Sequence, residues 1–149
     1  MSDSSNAPTG ADTQKVIGQS AEYTRITYDP QLMYSSSVSI GHVDLDLTSG
    51  ALNLVLDTKE YNCTIDPTRL QAIRTLIADS QICMPGPLPP GSVSCMAFAA
   101  PDLELSNASA TIMLSHEMCN SGTFLCGDND SNLRALLNDL KTNLPAGCN

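Results

Sequence analysis

The side chains best equipped for chemistry in this 149-residue chain are its six cysteines, Cys63, Cys83, Cys95, Cys119, Cys126 and Cys148. Their number is even and no two stand as Cys-x-x-Cys, which sets aside thioredoxin-like redox motifs and the usual zinc-knuckle spacing. Structural disulfides are the simplest use of such a set. Disulfides persist where thiol reductants are scarce, so this reading places the protein in the periplasm, on a cell surface or outside the cell. Sequence alone does not select a connectivity. Closing the shortest loops would join Cys83 to Cys95 and Cys119 to Cys126, leaving Cys63 to tie the chain end at Cys148.

A second group is His42, Asp44 and Asp46. Alternate residues of a strand share one face with neighbours roughly 7 Å apart, a spacing at which an imidazole and two carboxylates can share a metal or pass a proton. That would make the chain a small metal-assisted hydrolase. The competing reading is the solvated side of an antiparallel sheet, where acidic residues are common. Asp128, Asp130 and Asn132 open like a calcium loop, with Asp139 at the twelfth position. Leu133, however, stands where such a loop needs glycine, and Asp139 falls inside a helical stretch, so helix capping accounts for the cluster better. His116, Glu117, Cys119 and Cys126 are a partial zinc set, set against one small disulfide loop beside a histidine. Ser115 adjoins His116, but no Gly-x-Ser-x-Gly elbow and no glycine-rich phosphate loop occurs. No motif calls for a cofactor.

The most individual segment runs from Cys83 to Cys95 and holds four prolines. Bracketed by a Cys83–Cys95 bond it would be a stiff loop offering Met84, Pro85, Pro87, Leu88, Pro89 and Val93 to a partner, since a preorganised loop loses little entropy on binding. It could equally serve as a protease-inhibiting loop, or be a connector stiffened for stability.

Composition limits the partners. Seven Lys plus Arg stand against sixteen Asp plus Glu, a formal charge of −9, which excludes a phosphate-tracking nucleic-acid binder and disfavours anionic membrane surfaces. The acidity is spread along the chain rather than gathered in one segment, which suits solubility better than steering. No stretch of about 18 apolar residues is present to span a bilayer.

These residues need elements to position them. Residues 1–20 are polar and small, of linker composition, and are expected to form a flexible tether ahead of a single domain over 21–149. An oxidised domain without a leader implies that Met1 is an added start on a mature segment, with a lipid anchor expected at the native N-terminus. Residues 23–28 read as a strand, and Val38 with Ile40 as another. The apolar phase then shifts at Gly41-His42, which suggests a bulge or short turn. A hairpin over 43–57 is expected around a two-residue Ser49-Gly50 turn, pairing Val43 with Leu56, Leu45 with Leu54 and Leu47 with Leu52. A second, over 102–114, turns at Asn107-Ala108 and pairs Leu103 with Ile112 and Leu105 with Ala110. One helix starts at Asp66-Pro67, carries Leu70, Ile73, Leu76 and Ile77, and ends near Asp79. The other, capped by Asp130 or Ser131, carries Leu133, Leu136, Leu137, Leu140 and Leu144 before Pro145 and Gly147.

The expected fold is α+β: an antiparallel sheet of about six strands, in the order four strands, helix, two strands, helix, with both amphipathic helices on one face. The expected function is that of a non-enzymatic secreted or envelope-attached module that binds a protein partner. A secreted protease inhibitor acting through residues 83–95 and the metal-assisted hydrolase are the alternatives.

Overall fold

In the computed structural model of this chain, residues 14–19, 22–29, 41–56, 58–85, 101–115 and 122–148 are described. They form nine strands and two helices: β1 (Gln14–Gln19), β2 (Arg25–Tyr28), β3 (His42–Asp46), β4 (Ala51–Leu56), β5 (Lys59–Thr64), α1 (Pro67–Ala78), β6 (Gln81–Pro85), β7 (Leu103–Ser106), β8 (Thr111–Leu114), β9 (Phe124–Leu125) and α2 (Asn129–Thr142). Six strands pair antiparallel in the order β5-β4-β3-β2-β7-β8. Along the chain these six and the two helices follow the expected order. The remaining three make a small antiparallel sheet, β1-β6-β9.

Period-two patterning drives the large sheet. Ile26 and Tyr28 of β2, Val43 and Leu45 of β3, Leu52 and Leu54 of β4, Leu103 and Leu105 of β7 and Leu114 of β8 all turn inward. There they join one core with Ile73 and Ile77 of α1 and Leu133, Leu137 and Leu140 of α2. Both helices therefore cover the same face, as two amphipathic stripes and one apolar sheet face require. Burying each such side chain contributes about 1.5–3 kcal/mol.

Both hairpins keep the expected faces, but their registers differ from expectation by two residues. Val43 pairs Leu54 and Leu45 pairs Leu52; Leu103 pairs Leu114 and Leu105 pairs Ile112. The cause is the same in each turn. Asp46 Oδ1 accepts the backbone N–H groups of Thr48 and Ser49 at 2.8 and 3.0 Å, and Asn107 Oδ1 accepts those of Ser109 and Ala110, both at 2.8 Å. An acceptor side chain at the strand end thus builds a four-residue loop where a two-residue turn was expected. Gly50 closes the first loop at φ 82°, and its N–H donates to Asp46 O at 2.8 Å. Gly41 marks a close approach, since a Cβ there would lie 2.6 Å from Leu56 Cδ2 and 3.2 Å from Val55 O. β3 pairs regularly from His42 onward, while the expected strand at Val38 and Ile40 lies outside the described residues.

Four strands were not anticipated: β1 and β5, and also β6 and β9, which fall where a proline-rich loop and a cysteine loop were expected. β1 falls within the expected tether: its Val16 pairs Cys83, with the register shifting between Val16 and Gly18, so residues 14–19 belong to a sheet rather than to a linker. β5 follows β4 directly and pairs with it over its whole length.

At α1 the Asp66 side chain accepts the Arg69 N–H at 3.1 Å, with proline at the first helical position, and the helix stops at Asp79. α2 begins two to three residues earlier than expected, with Asp128 rather than Asp130 or Ser131 at the N-cap and making no side-chain cap bond. Arg69 joins the two helices: it reaches Asp66 at 2.7 Å, Asp139 at 3.0 Å and the Asn143 carbonyl at 2.7 Å.

Two disulfides complete the frame. Cys63 of β5 bonds Cys148 as expected, with Cα atoms 5.2 Å apart. Cys83 bonds Cys126, with Cα atoms 5.0 Å apart, which overturns both the Cys83–Cys95 and the Cys119–Cys126 pairing. Strand pairing, rather than loop length, selects the partner: β6 and β9 place Cys83 opposite Phe124, two residues before Cys126. Cys95 and Cys119 lie outside the described residues. Each bond closes a long loop, of 43 and 85 residues, for which the chain-entropy model gives about 4 kcal/mol.

Candidate binding surfaces and a buried charge cluster

Among the described residues, neither helix covers the other face of the large sheet, whose side chains are half-buried to exposed. Register places Arg25 and Thr27 of β2, His42, Asp44 and Asp46 of β3, Asn53 and Val55 of β4, Glu60 and Asn62 of β5 and Glu104 of β7 on it. These side chains brace one another. Arg25 grips Asp44 with two hydrogen bonds, Nε to Oδ1 at 2.8 Å and Nη2 to Oδ2. That grip, more than Coulomb attraction alone, raises the guanidinium pKa. The Asn53 amide donates to Glu60 at 2.7 Å and to Asn62 at 2.8 Å. A shallow depression of about 450 Å³ lies among Arg25, Asp44, Asp46, Asn53, Asn62 and Thr64. Charges spaced evenly along the chain are gathered here by folding, one arginine against four carboxylates.

His42, Asp44 and Asp46 do share this face, as their alternation implied, but each is engaged elsewhere. His42 Nδ1 lies 3.7 Å from Asp29 Oδ2, Asp44 is held by Arg25, and Asp46 caps its own turn. The N–H groups of Ser49 and Thr48 hold the Asp46 carboxyl below its ordinary pKa. Among the described residues no three His, Cys, Asp or Glu side chains converge as a metal-holding group.

Beneath the covered face lies a charge cluster that periodicity does not reveal. Arg134 and Asp102 have side chains only 4% and 1% exposed. Arg134 Nη1 donates to both Asp102 oxygens, at 2.7 and 2.6 Å, and Nε donates to Asp130 at 2.9 Å. Burial would lower the guanidinium pKa, but these hydrogen bonds outweigh it and raise it. The guanidinium also stands 6.0 Å from the Tyr28 ring centroid, with Lys141 Nζ at 5.2 Å from the same ring. Burial pushes the Tyr28 phenol up and the Lys141 ammonium down. The cluster fastens α2 to the start of β7 and the end of β2. Its one signal in the sequence is the i, i+4 pair Asp130 and Arg134; Asp102 is distant in the chain.

The other sequence candidates are dispersed. Asp128, Asp130 and Asp139 serve α2 and its clamps, and the Asn132 N–H donates to Asp128 O at 2.9 Å, so no calcium loop forms. Ser115 is buried, its N–H on Thr123 O at 2.8 Å; His116 and Glu117 lie outside the described residues. Of the expected partner-contact loop, Met84 is exposed on β6 and Pro85 pairs Gln14. Pro87, Leu88, Pro89 and Val93 lie outside the described residues, and no Cys83–Cys95 bond brackets them.

A further concavity, of about 640 Å³, lies between α1 and the entry to β2. Among the described residues no helix is long and apolar enough to cross a membrane. No protein-family model, curated protein or solved structure matches the chain; what the comparisons leave is a small, disulfide-bonded α+β domain.

Proposed function

We propose that this chain is a non-enzymatic binding domain of an oxidising compartment, whose polar sheet face receives a protein partner bearing basic, hydrogen-bonding groups. The observation that carries this is the braced polar face itself. Arg25, Asp44, Asn53, Asn62 and Glu60 sit on the paired strands β2 to β5 and are held by one another. Little side-chain entropy remains to be lost on docking, which is the usual cost of using polar groups for recognition. One arginine among Asp44, Asp46, Glu60 and Glu104 gives the face a negative field, and complementary charge speeds encounter and sets partner choice. The disulfides Cys63–Cys148 and Cys83–Cys126 support the compartment.

Immobilised domain exposed to the extract of its native compartment tests this. A retained protein should be lost when Glu60→Lys and Glu104→Lys are combined, should weaken as salt rises, and should persist with Ala135→Lys on the exposed side of α2. Retention indifferent to the face substitutions would overturn the assignment.

A further inference from the structure

The concavity beside α1 is a separate site with its own chemistry. One wall is the helix, where Gln71, Arg74, Thr75 and Ala78 recur at i, i+3, i+4 and i+7 and so form a single stripe. The other is the chain entering β2, Glu22, Tyr23 and Thr24, together with Leu47 and Thr48 of the first turn. Both walls are fixed. Leu47 N–H donates to Thr24 O at 2.8 Å, Asp46 pins the turn, and the α1 N-terminus is capped by Asp66. The volume, about 640 Å³, falls within the roughly 300–1,000 Å³ usual for small-molecule sites.

Arg74 decides the ligand's charge. The chain has four arginines; Arg25, Arg69 and Arg134 are each held by carboxylates. Arg74 is exposed into this concavity, with no carboxylate partner among the described residues. In a chain with more than twice as many acids as bases, that guanidinium is the group a ligand carboxylate would meet. One cation facing Glu22 suits a single negative charge and not a polyanion. Arg74 also lies in the second half of α1, away from the positive end of the helix dipole that would assist a phosphate.

The remaining lining is neither an apolar slot nor a row of backbone N–H groups. Thr48 and Thr75 supply hydroxyls, while Thr24 Oγ1 donates to Ser106 O at 3.4 Å and offers a ligand only its acceptor side; Gln71 donates to Thr75 Oγ1 at 3.0 Å, leaving its carbonyl and the Thr75 proton for a ligand. Tyr23 is half-buried against the core and presents a ring with an apolar face beside these polar groups. We infer that the site binds a hydroxyl-rich monocarboxylate of the hexuronic acid class. Arg74 takes the carboxylate, the threonines and Gln71 take the ring hydroxyls, and Tyr23 lies along the C–H face.

Galacturonate titrated into the isotopically labelled, oxidised full chain, with amide shifts followed by NMR, provides the test. Saturable shifts should centre on Tyr23, Thr48, Arg74 and Thr75, with galactose, which lacks the carboxylate, about tenfold weaker. Arg74→Gln, at an exposed position whose loss leaves the core intact, should weaken galacturonate by about the same factor and leave galactose unchanged. The inference is overturned if no saturable shifts occur at these residues, if acetate alone reproduces them at equal affinity, or if Arg74→Gln leaves galacturonate binding as it was.

Discussion

Arg134→Met removes the guanidinium from the buried cluster and so tests whether charge there positions α2. The side chain touches both oxygens of Asp102 and one of Asp130, and the first pair is almost wholly out of water. Breaking a buried pair from one side costs about 3–5 kcal/mol, because the carboxylate left behind keeps its desolvation penalty without its counter-charge. Against a net stability of about 5–15 kcal/mol that is a large fraction. It corresponds to a fall in Tm of about 6–20 °C for a chain of this size. Urea unfolding without reductant, extrapolated linearly, measures it with the disulfides intact. The paired substitution Asp102→Leu with Arg134→Met restores part of the loss, since an apolar pair of similar volume carries no desolvation cost, while the Asp130 carboxylate, 14% exposed, still lacks its guanidinium donor. A single variant losing less than about 1 kcal/mol, or a double variant less stable than the single one, would refute the reasoning.

Other outcomes follow from the same structure. The intact mass is expected about 6 Da below that of the reduced chain, two hydrogens per bond. Two of those bonds are Cys63–Cys148 and Cys83–Cys126. The third is assigned by elimination to the two remaining cysteines of the sequence, Cys95 and Cys119. A deficit of about 4 Da would reject the third bond. Gly50→Ala should destabilise by about 1–2 kcal/mol in the same urea assay, because φ is 82° and the new Cβ would sit 3.3 Å from Ile65 Cγ2 and Leu70 Cδ2. Acid should erode stability through Asp46, whose folded pKa is held down by two backbone N–H groups. The unfolded carboxyl, near pH 3.9, binds protons first, so this contribution is complete above that value and lost as pH falls through the lower folded one. Asp46→Asn should flatten the acid limb of a stability–pH curve, and an unchanged limb would remove Asp46 from the account.

Five strands of the large sheet and both helices were legible because each announces itself by period: alternation in Val43-Asp44-Leu45 and Leu103-Glu104-Leu105, and the 3.6 stripe of Leu133, Leu137 and Leu140. Register was not. Apolar alternation fixes a strand's face but tolerates slips of two, and the residues that choose among them, Asp46 and Asn107, act through side-chain hydrogen bonds that no hydrophobic pattern encodes. β5 was hidden because an edge strand of Lys59, Glu60 and Asn62 alternates only weakly against Tyr61 and Cys63. β1 was hidden because its apolar content is the isolated pair Val16 and Ile17. For the surfaces, the polar side of β3 was readable from His42, Asp44 and Asp46. That Arg25 would claim Asp44 depends on β2 and β3 lying side by side, a long-range fact. The same holds for Asp102 meeting Arg134 and for Cys83 meeting Cys126: partners distant in sequence are chosen by strand order, and strand order is what local pattern leaves open.

The central claim is that the polar sheet face, and not the helical side, is where a protein partner docks. Site-specific photo-crosslinking measures this most directly, with the probe placed at Thr27 or Glu104 on the face and at Thr68 or Ala135 on the exposed sides of α1 and α2. The account predicts one and the same protein joined at both face positions, displaced by excess unlabelled domain and absent from both helix positions. Crosslinks that form equally on the helices, or only there, would contradict it.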